Sequence, residues 1–176
     1  LQLGYSYCLR NGYREIVTID GNDKDDPEAI PRIIQKLREG YHFVQGSRFH
    51  PDGSHENTPL YRLLAVRLVH APILSLASGF RWTDTTQGFR GYSAGLLRHE
   101  ELSLFRDVFE SYSLLAYISY RAPRLGLQVT EIGTRRTYPA GKVPTKISGF
   151  RTKARLLMIL FNVVSGKYNP SRGDRH

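Results

Sequence analysis

The chain has 176 residues, 40% apolar and 23% charged, which suits one ordinary globular domain with a buried core and excludes a disordered chain. Its formal charge of +9, from 25 Lys and Arg against 16 Asp and Glu, asks for a polyanionic partner: nucleic acid, anionic lipid or a phosphorylated small molecule. Cys8 is the single cysteine, which excludes an internal disulfide or a cysteine-based zinc site and makes the reducing cytoplasm the expected compartment.

In chain order, "LQLGYSYCLRNG" reads as a helix already under way, with Leu1, Tyr5 and Cys8 or Leu9 on one side and Asn11-Gly12 as its stop. A domain that starts in mid-pattern implies an upstream portion. "EIVTID" is a β-branched run that reads as a buried strand ending at Asp20. An acidic loop follows, holding Asp20, Asp23, Asp25, Asp26 and Glu28. Asp26-Pro27 then supplies a cap and first-turn proline for a helix with Ile30, Ile33, Ile34 and Leu37 as its stripe, stopped by Gly40. A second strand over about residues 42–47 completes a βαβ pattern. That pattern predicts a parallel pair with a right-handed crossover, and ligands beyond the carboxyl ends of the strands, near Asp20 and residues 45–48.

"HPDGSHENTP" is a polar connection longer than the usual 4 to 6 residues or so. Residues 59–79 read as a helix with Leu60, Leu63, Leu64, Leu68, Ile73, Leu74 and Leu76 buried and a bend at Pro72. "WTDTTQGFRGYS" reads as a loop entering a short strand near residues 89–92, residues 108–124 as an amphipathic helix ending before Gly126, and "LQVTEIGTRRTY" as a half-exposed strand. A loop with Lys142 and Lys146 then leads into a last helix. Its Phe150, Ala154, Leu157, Phe161 and Val164 share one face, and Arg151, Lys153 and Arg155 stand near its start, a basic amphipathic pattern suited to an anionic membrane surface or to core packing. No stretch reaches the roughly 20 apolar residues of a membrane span and no signal segment is visible, so a soluble or peripheral chain is expected. Residues 1–170 form one domain, with a polar tail at 171–176.

Carboxylates at a strand end are the oxygen ligands that Mg²⁺ or Mn²⁺ prefers, completed by substrate phosphates and water; Asp25, Asp26 and Glu28 equally suit a helix start, facing its dipole. Gly46 and Ser47 would let backbone approach a ligand, with Arg48 making a bidentate phosphate contact. Asp84 and Gln87 could orient a sugar, Asp84 could deprotonate a hydroxyl, or its carboxylate could close an Asx-turn. Between residues 121 and 155 nine Lys or Arg, including Arg135, Arg136 and Lys142, face one acid, Glu131, which predicts an anion-facing surface.

Four segments in order, "DGNDKDDPEAIPRII", "FVQGSRF", "TDTTQGFRGYS" and "RRTYPAGKVPTKISGFR", resemble the family 2 glycosyltransferases of GT-A fold, especially the polyprenyl-phosphate (dolichol-phosphate) mannosyl- and glucosyltransferases. The resemblance implies an α/β fold with a mostly parallel, Rossmann-like sheet flanked by helices, here the carboxyl-terminal two-thirds of such a domain. It also implies a nucleotide-diphosphate-sugar donor, a divalent metal on an Asp-x-Asp motif, and inversion at the anomeric carbon. Asp20 matches the first aspartate of that motif, but Asn22 stands at the second and Lys24 replaces a glutamine common further along, so Lys24 is a candidate point charge on the diphosphate. Arg48 and Arg62 match phosphate-binding arginines, and Arg90 lies where the family has its acceptor side. The acceptor is then a polyprenyl phosphate, with the chain peripheral on the cytoplasmic membrane face, or a saccharide hydroxyl with Asp84 as base. A nucleic-acid partner is not expected, since no helix-turn-helix, finger or RNP pattern is present.

Overall fold

The computed structural model describes residues 1–139 and 150–171, with residues 150–153 described by their backbone alone. Lys142, Lys146 and most of the expected tail lie outside the described residues.

The first helix, α1 (Gln2–Arg10), ends at Asn11 and at Gly12, whose φ of +77° favours glycine. Strand β1 (Glu15–Thr18) stops two residues before Asp20. The Asp26 side chain accepts the Glu28 N–H at 3.0 Å, opening a 3-10 turn (Pro27–Ala29) that runs into α2 (Ile30–Arg38). Pro31 has no N–H to give, but it stands in the first turn of α2, where that N–H would have no intrahelical partner. Strand β2 (Phe43–Ser47) follows and is buried throughout.

The expected parallel pairing of β1 with β2 needs correction. Strand β4 (Arg90–Ser93) lies between them, antiparallel to both, and β5 (Val129–Gly133) pairs parallel with β2, giving the order β1-β4-β2-β5. Three of the four strands still run in one direction, so the sheet is mostly parallel and its carboxyl edge is intact. A periodicity reading could not see an insertion made by a strand more than forty residues downstream of β2.

Helices cover both faces. On one side Ile33 and Leu37 of α2 pack with Val44, Phe89 and Ile132. Gly91 permits that approach, because a Cβ there would strike Ile33 Cγ2. On the other side Phe43 and Tyr92 of the sheet join Leu74, Trp82, Tyr117 and Leu160 in the larger core. Fully burying each such side chain stabilises the fold by about 1.5–3 kcal/mol.

The polar connection is not all loop: Ser54–Glu56 forms β3, parallel to β6 (Arg135–Thr137) in a second, two-stranded sheet. Helix α3 (Leu60–Ala65) continues through a π-helical turn (Val66–His70) into α4 (Ala71–Ser78). The wide turn meets Pro72, which cannot bond back to residue 68. The predicted burial of this helix is largely overturned. Leu60, Leu64, Leu68 and Leu76 are exposed, the last at 87%, and the inward residues are Val66, Ala71 and Leu74. By length and composition, Leu60–Ser78 is also apolar enough to cross a membrane, contrary to the sequence reading, and only 17% of it is buried. A short α5 (Ala94–Leu97) precedes α6 (Ser113–Arg124), which starts five residues later than predicted because residues 108–112 turn instead. The last helix, α7 (Phe150–Val164), packs on α4 and α6 through Ile159, Leu160 and Val163, leaving Leu157, Met158 and Phe161 outside.

Candidate active site

The carboxyl edge of the sheet gathers three groups from distant segments: Asp20 beyond β1, Arg48 beyond β2, and the run Arg136 to Tyr138 where β5 kinks at Thr134 into β6. Side chains alternate along a strand, so Arg136 and Tyr138 share the inward face and Arg135 points out, pairing with exposed Glu56 at 2.8 Å.

Arg48 is 3% exposed and held from several sides. Its Nε donates to Asp84 Oδ2 at 2.6 Å, one Nη to the Tyr138 hydroxyl at 3.0 Å and the other to Thr86 Oγ1 at 3.2 Å. Burial, the largest single influence, would lower the Arg48 pKa, but the charge and hydrogen bond of Asp84 together with Tyr138 outweigh it and raise the value, so the guanidinium stays charged. Asp84 Oδ1 also accepts the Thr86 N–H and hydroxyl, the Asx-turn foreseen for it. The loop bearing Asp84 is fixed from below by Glu131, whose carboxylate accepts the Thr83 and Asp84 N–H groups and the Thr83 hydroxyl. Burial pushes the Glu131 pKa up to about 7 in spite of these bonds.

A second chain of contacts runs through Arg136. It pairs with Asp25 at 2.5 Å and with Asp20 at 3.2 Å, while Gln87 Nε2 donates to the other Asp25 oxygen at 2.6 Å. Asp25 is buried, and desolvation raises its pKa against the pull of Arg136. Of the acids that the sequence assigned to a helix start, Asp26 alone acts as the cap; Asp25 turns inward.

Above these groups lies a cleft of about 370 Å³. Arg48, Arg62, Arg136, Tyr138, His70 and Thr86 make its polar side, and Tyr61, Val66 and Val69 of the α3 run face Leu156 and Leu157 of α7 as apolar walls. Burial, with the field of Arg90, holds His70 neutral by dropping its pKa to about 4, and its Nδ1 lies 2.6 Å from Thr85 Oγ1.

The structure brings Arg48, Arg62 and Arg136 together with Asp20 and Lys24 close by; the Lys24 Nζ sits 5.1 Å from the Tyr138 ring centre. Other expected residues stand elsewhere. Gly46 is closed off by the Phe89 carbonyl, and Ser47 Oγ bonds Thr83 and the N–H groups of Phe49 and His50. Gln87 serves Asp25 from within the core. Arg90 and Asp84, expected as catalytic side chains, are instead both 0% exposed. Arg90 donates to the carbonyls of Thr85, Gln87 and Leu115, so it braces the loop from behind. Tyr138, Thr86 and the apolar walls were missed, although the i, i+2 spacing of Arg136 and Tyr138 was a usable signal.

Among the described residues no three His, Cys, Asp or Glu side chains cluster as a metal site. Asp20 and Asn22 nevertheless fit a divalent ion that takes most of its shell from phosphate and water. The Asp20 side chain is 42% exposed with one oxygen on Arg136, and Asn22 is exposed with its N–H on the Asp20 carbonyl at 2.8 Å. Gly88 makes room for that carboxylate, since a Cβ there would collide with Asp20 Oδ1.

No family model matches the chain. Curated relatives do. An undecaprenyl-phosphate mannosyltransferase of Micrococcus luteus is 30% identical over 131 residues, 73% of this chain and 51% of that protein. A polyprenol monophosphomannose synthase of Mycolicibacterium smegmatis is 26% identical over 170 residues, 97% of this chain and 63% of that protein. A dolichol-phosphate mannosyltransferase of Pyrococcus furiosus is 33% identical over 66 residues, 35% of this chain and 19% of that protein. The chain thus spans between about half and three-fifths of the length of the first two. With its mixed α/β sheet and this likeness along most of its length, the chain is a homologue of the polyprenol-phosphate mannosyltransferases of glycosyltransferase family 2.

Proposed function

We propose that this chain carries the acceptor side of an enzyme that transfers a hexose from a nucleotide-diphosphate sugar to a polyprenyl phosphate, with inversion at the anomeric carbon. The observation that carries the reading is the cleft, whose polar side holds Arg48, Arg62 and Arg136 and whose walls are apolar faces of α3 and α7. A phosphate monoester on a hydrocarbon chain needs both surfaces at once. Nucleic acid would need cations on an outer face, whereas Arg48 and Arg136 are buried to within a few per cent.

The acceptor oxygen is already ionised, so no general base is required. Asp84 is engaged by Arg48 and Thr86 and shut from solvent, which argues against the saccharide-hydroxyl reading with Asp84 as base. Arg48, Arg62 and Arg136 orient the acceptor phosphate for attack opposite the departing diphosphate, and Lys24 neutralises part of the leaving charge. A divalent ion held by Asp20 and Asn22 would supply further charge stabilisation to the diphosphate. The exposed apolar faces of α3, α4 and α7 would rest on an anionic cytoplasmic membrane surface and open the cleft to the lipid.

The test is equilibrium binding of a polyprenyl monophosphate in detergent, compared with the neutral polyprenol of the same length, followed by transfer assays with GDP- and UDP-hexoses. Tight binding of the monophosphate alone is expected. Equal binding of both lipids, or of neither, ends the proposal.

A further inference from the structure

Three guanidiniums from three separate elements converge on one oxygen. The Tyr138 hydroxyl accepts from Arg48 and Arg62 at 3.0 Å each and from Arg136 Nε at 3.4 Å. Arg62 and Arg136 also lie over its ring, at 5.5 and 5.6 Å from the centre, as does the Lys24 ammonium at 5.1 Å. A neutral phenol has lone pairs for about two good acceptances, so three donors oversubscribe it. The long Arg136 bond is the weakest of the set.

The backbone is fixed as firmly as the ring. The Tyr138 N–H donates to Glu56 at 3.0 Å and Asn57 Nδ2 donates to the Tyr138 carbonyl at 3.1 Å, so the β3–β6 ladder locks its place. Four like charges would otherwise repel across the cleft. Asp84 offsets Arg48, and Asp20 with Asp25 offsets Arg136, while Tyr138 touches all four cations.

We propose that Tyr138 is a positioning residue for the acceptor phosphate, its oxygen standing in for a phosphate oxygen and holding Arg48, Arg62 and Arg136 in the arrangement that the anion then takes over. This rests on the reading of the cleft as a phosphate-monoester site. The residue acts through the arginines, and its surface is only 1% exposed.

The phenol also couples the site to pH. Burial opposes its ionisation, but the charges of Arg48 and Arg136 and the hydrogen bonds from Arg62 and Arg136 outweigh burial and bring its pKa below the ordinary tyrosine value. Among the described residues the charged groups facing it are Lys24 from the acidic loop, Arg48 beyond β2, Arg62 from α3 and Arg136 from β6, with Asp84 behind Arg48 and both Asp20 and Asp25 behind Arg136. A phenolate would grip the same cations and compete with an incoming phosphate.

Tyr138→Phe keeps the ring and removes the oxygen. The probes are a polyprenyl monophosphate, the neutral polyprenol and GDP, titrated from pH 6.5 to 10 alongside urea unfolding. The expected result is a roughly 10-fold or larger loss of monophosphate affinity in the variant, as for one charge-assisted hydrogen bond, with neutral-lipid binding little changed and the variant folded throughout the titration, although its unfolding midpoint falls because three guanidiniums lose an acceptor. The wild-type affinity for monophosphate should fall as the phenol ionises, and the variant should lack that fall. Equal loss for monophosphate and neutral lipid, or unchanged monophosphate affinity at every pH, overturns the proposal. If GDP alone loses affinity, the three arginines serve the donor and the proposal fails while the transfer reaction stands. A wild-type protein blind to the monophosphate removes the proposed function itself.

Discussion

Asp84 and Asp20 are both aspartates at the carboxyl edge of one sheet, and each meets an arginine. Asp84 is fully buried with both oxygens occupied, by Arg48 and by Thr86. Asp20 is 42% exposed and meets Arg136 through one oxygen. The difference is one of desolvation: a carboxylate taken out of water must be matched by fixed partners, and fixed partners leave nothing for a substrate. Under the proposed function, the open aspartate is the one that meets a ligand.

Breaking the closed pair should have the largest effect. Asp84→Asn leaves Arg48 as an uncompensated buried cation and is expected to lower stability by on the order of 3 kcal/mol, read by urea unfolding. Turnover per folded molecule should drop only a few-fold; a loss of 100-fold or more would return Asp84 to the role of base. The open aspartate should behave in the opposite way. Asp20→Asn is expected to lower transfer by about 100-fold, as loss of a charge-stabilising group does, while stability moves by less than about 1 kcal/mol. Equal stability losses for the two variants would erase the contrast.

The apolar faces give a smaller effect. Leu64→Asp combined with Leu157→Asp should weaken binding to anionic vesicles by about 10-fold or more, measured by co-sedimentation, with unfolding unchanged. Both residues are exposed, so a large stability loss would instead mean that these faces are covered in the folded chain.

The smallest net effect is in the pH response of stability, where two groups oppose. Glu131 has its pKa raised from 4.5 to about 7, so its favourable term is complete below 4.5 and is lost as pH rises through 7. His70 has its pKa lowered from 6.5 to about 4, so its favourable term is complete above 6.5 and is lost as pH falls through 4. Between pH 4.5 and 6.5 their slopes cancel in the wild type. Glu131→Gln should unmask a rise of stability with pH, up to about 1.4 kcal/mol per unit, and His70→Gln a fall. Parallel profiles for the two variants in urea titrations would refute the opposition.

Much of the site was legible as parts. The apolar run before Asp20 and the Gly-Ser-Arg at the end of the second strand put Asp20 and Arg48 at one edge, as observed. The roles were harder to read, because a sequence does not show burial: Arg90 and Arg48 look alike as arginines, yet one braces backbone carbonyls and the other lines the cleft. Arg135 and Arg136 are neighbours that strand alternation sends to opposite faces. The leucines of α3 and α4 mislead because a helical stripe specifies an apolar face without saying what covers it.

The sequence by itself determined the longer helices, the strands of the main sheet, the charge excess and the acidic loop, since these follow from local periodicity, capping and composition. Only the tertiary structure decided that β4 would separate β1 from β2, that Arg48, Arg62 and Arg136 would meet at Tyr138, and that Asp84 would be closed while Asp20 stayed open. Those outcomes depend on contacts between residues up to 116 apart, where the cost of desolvating each charge is set by what the rest of the chain places beside it.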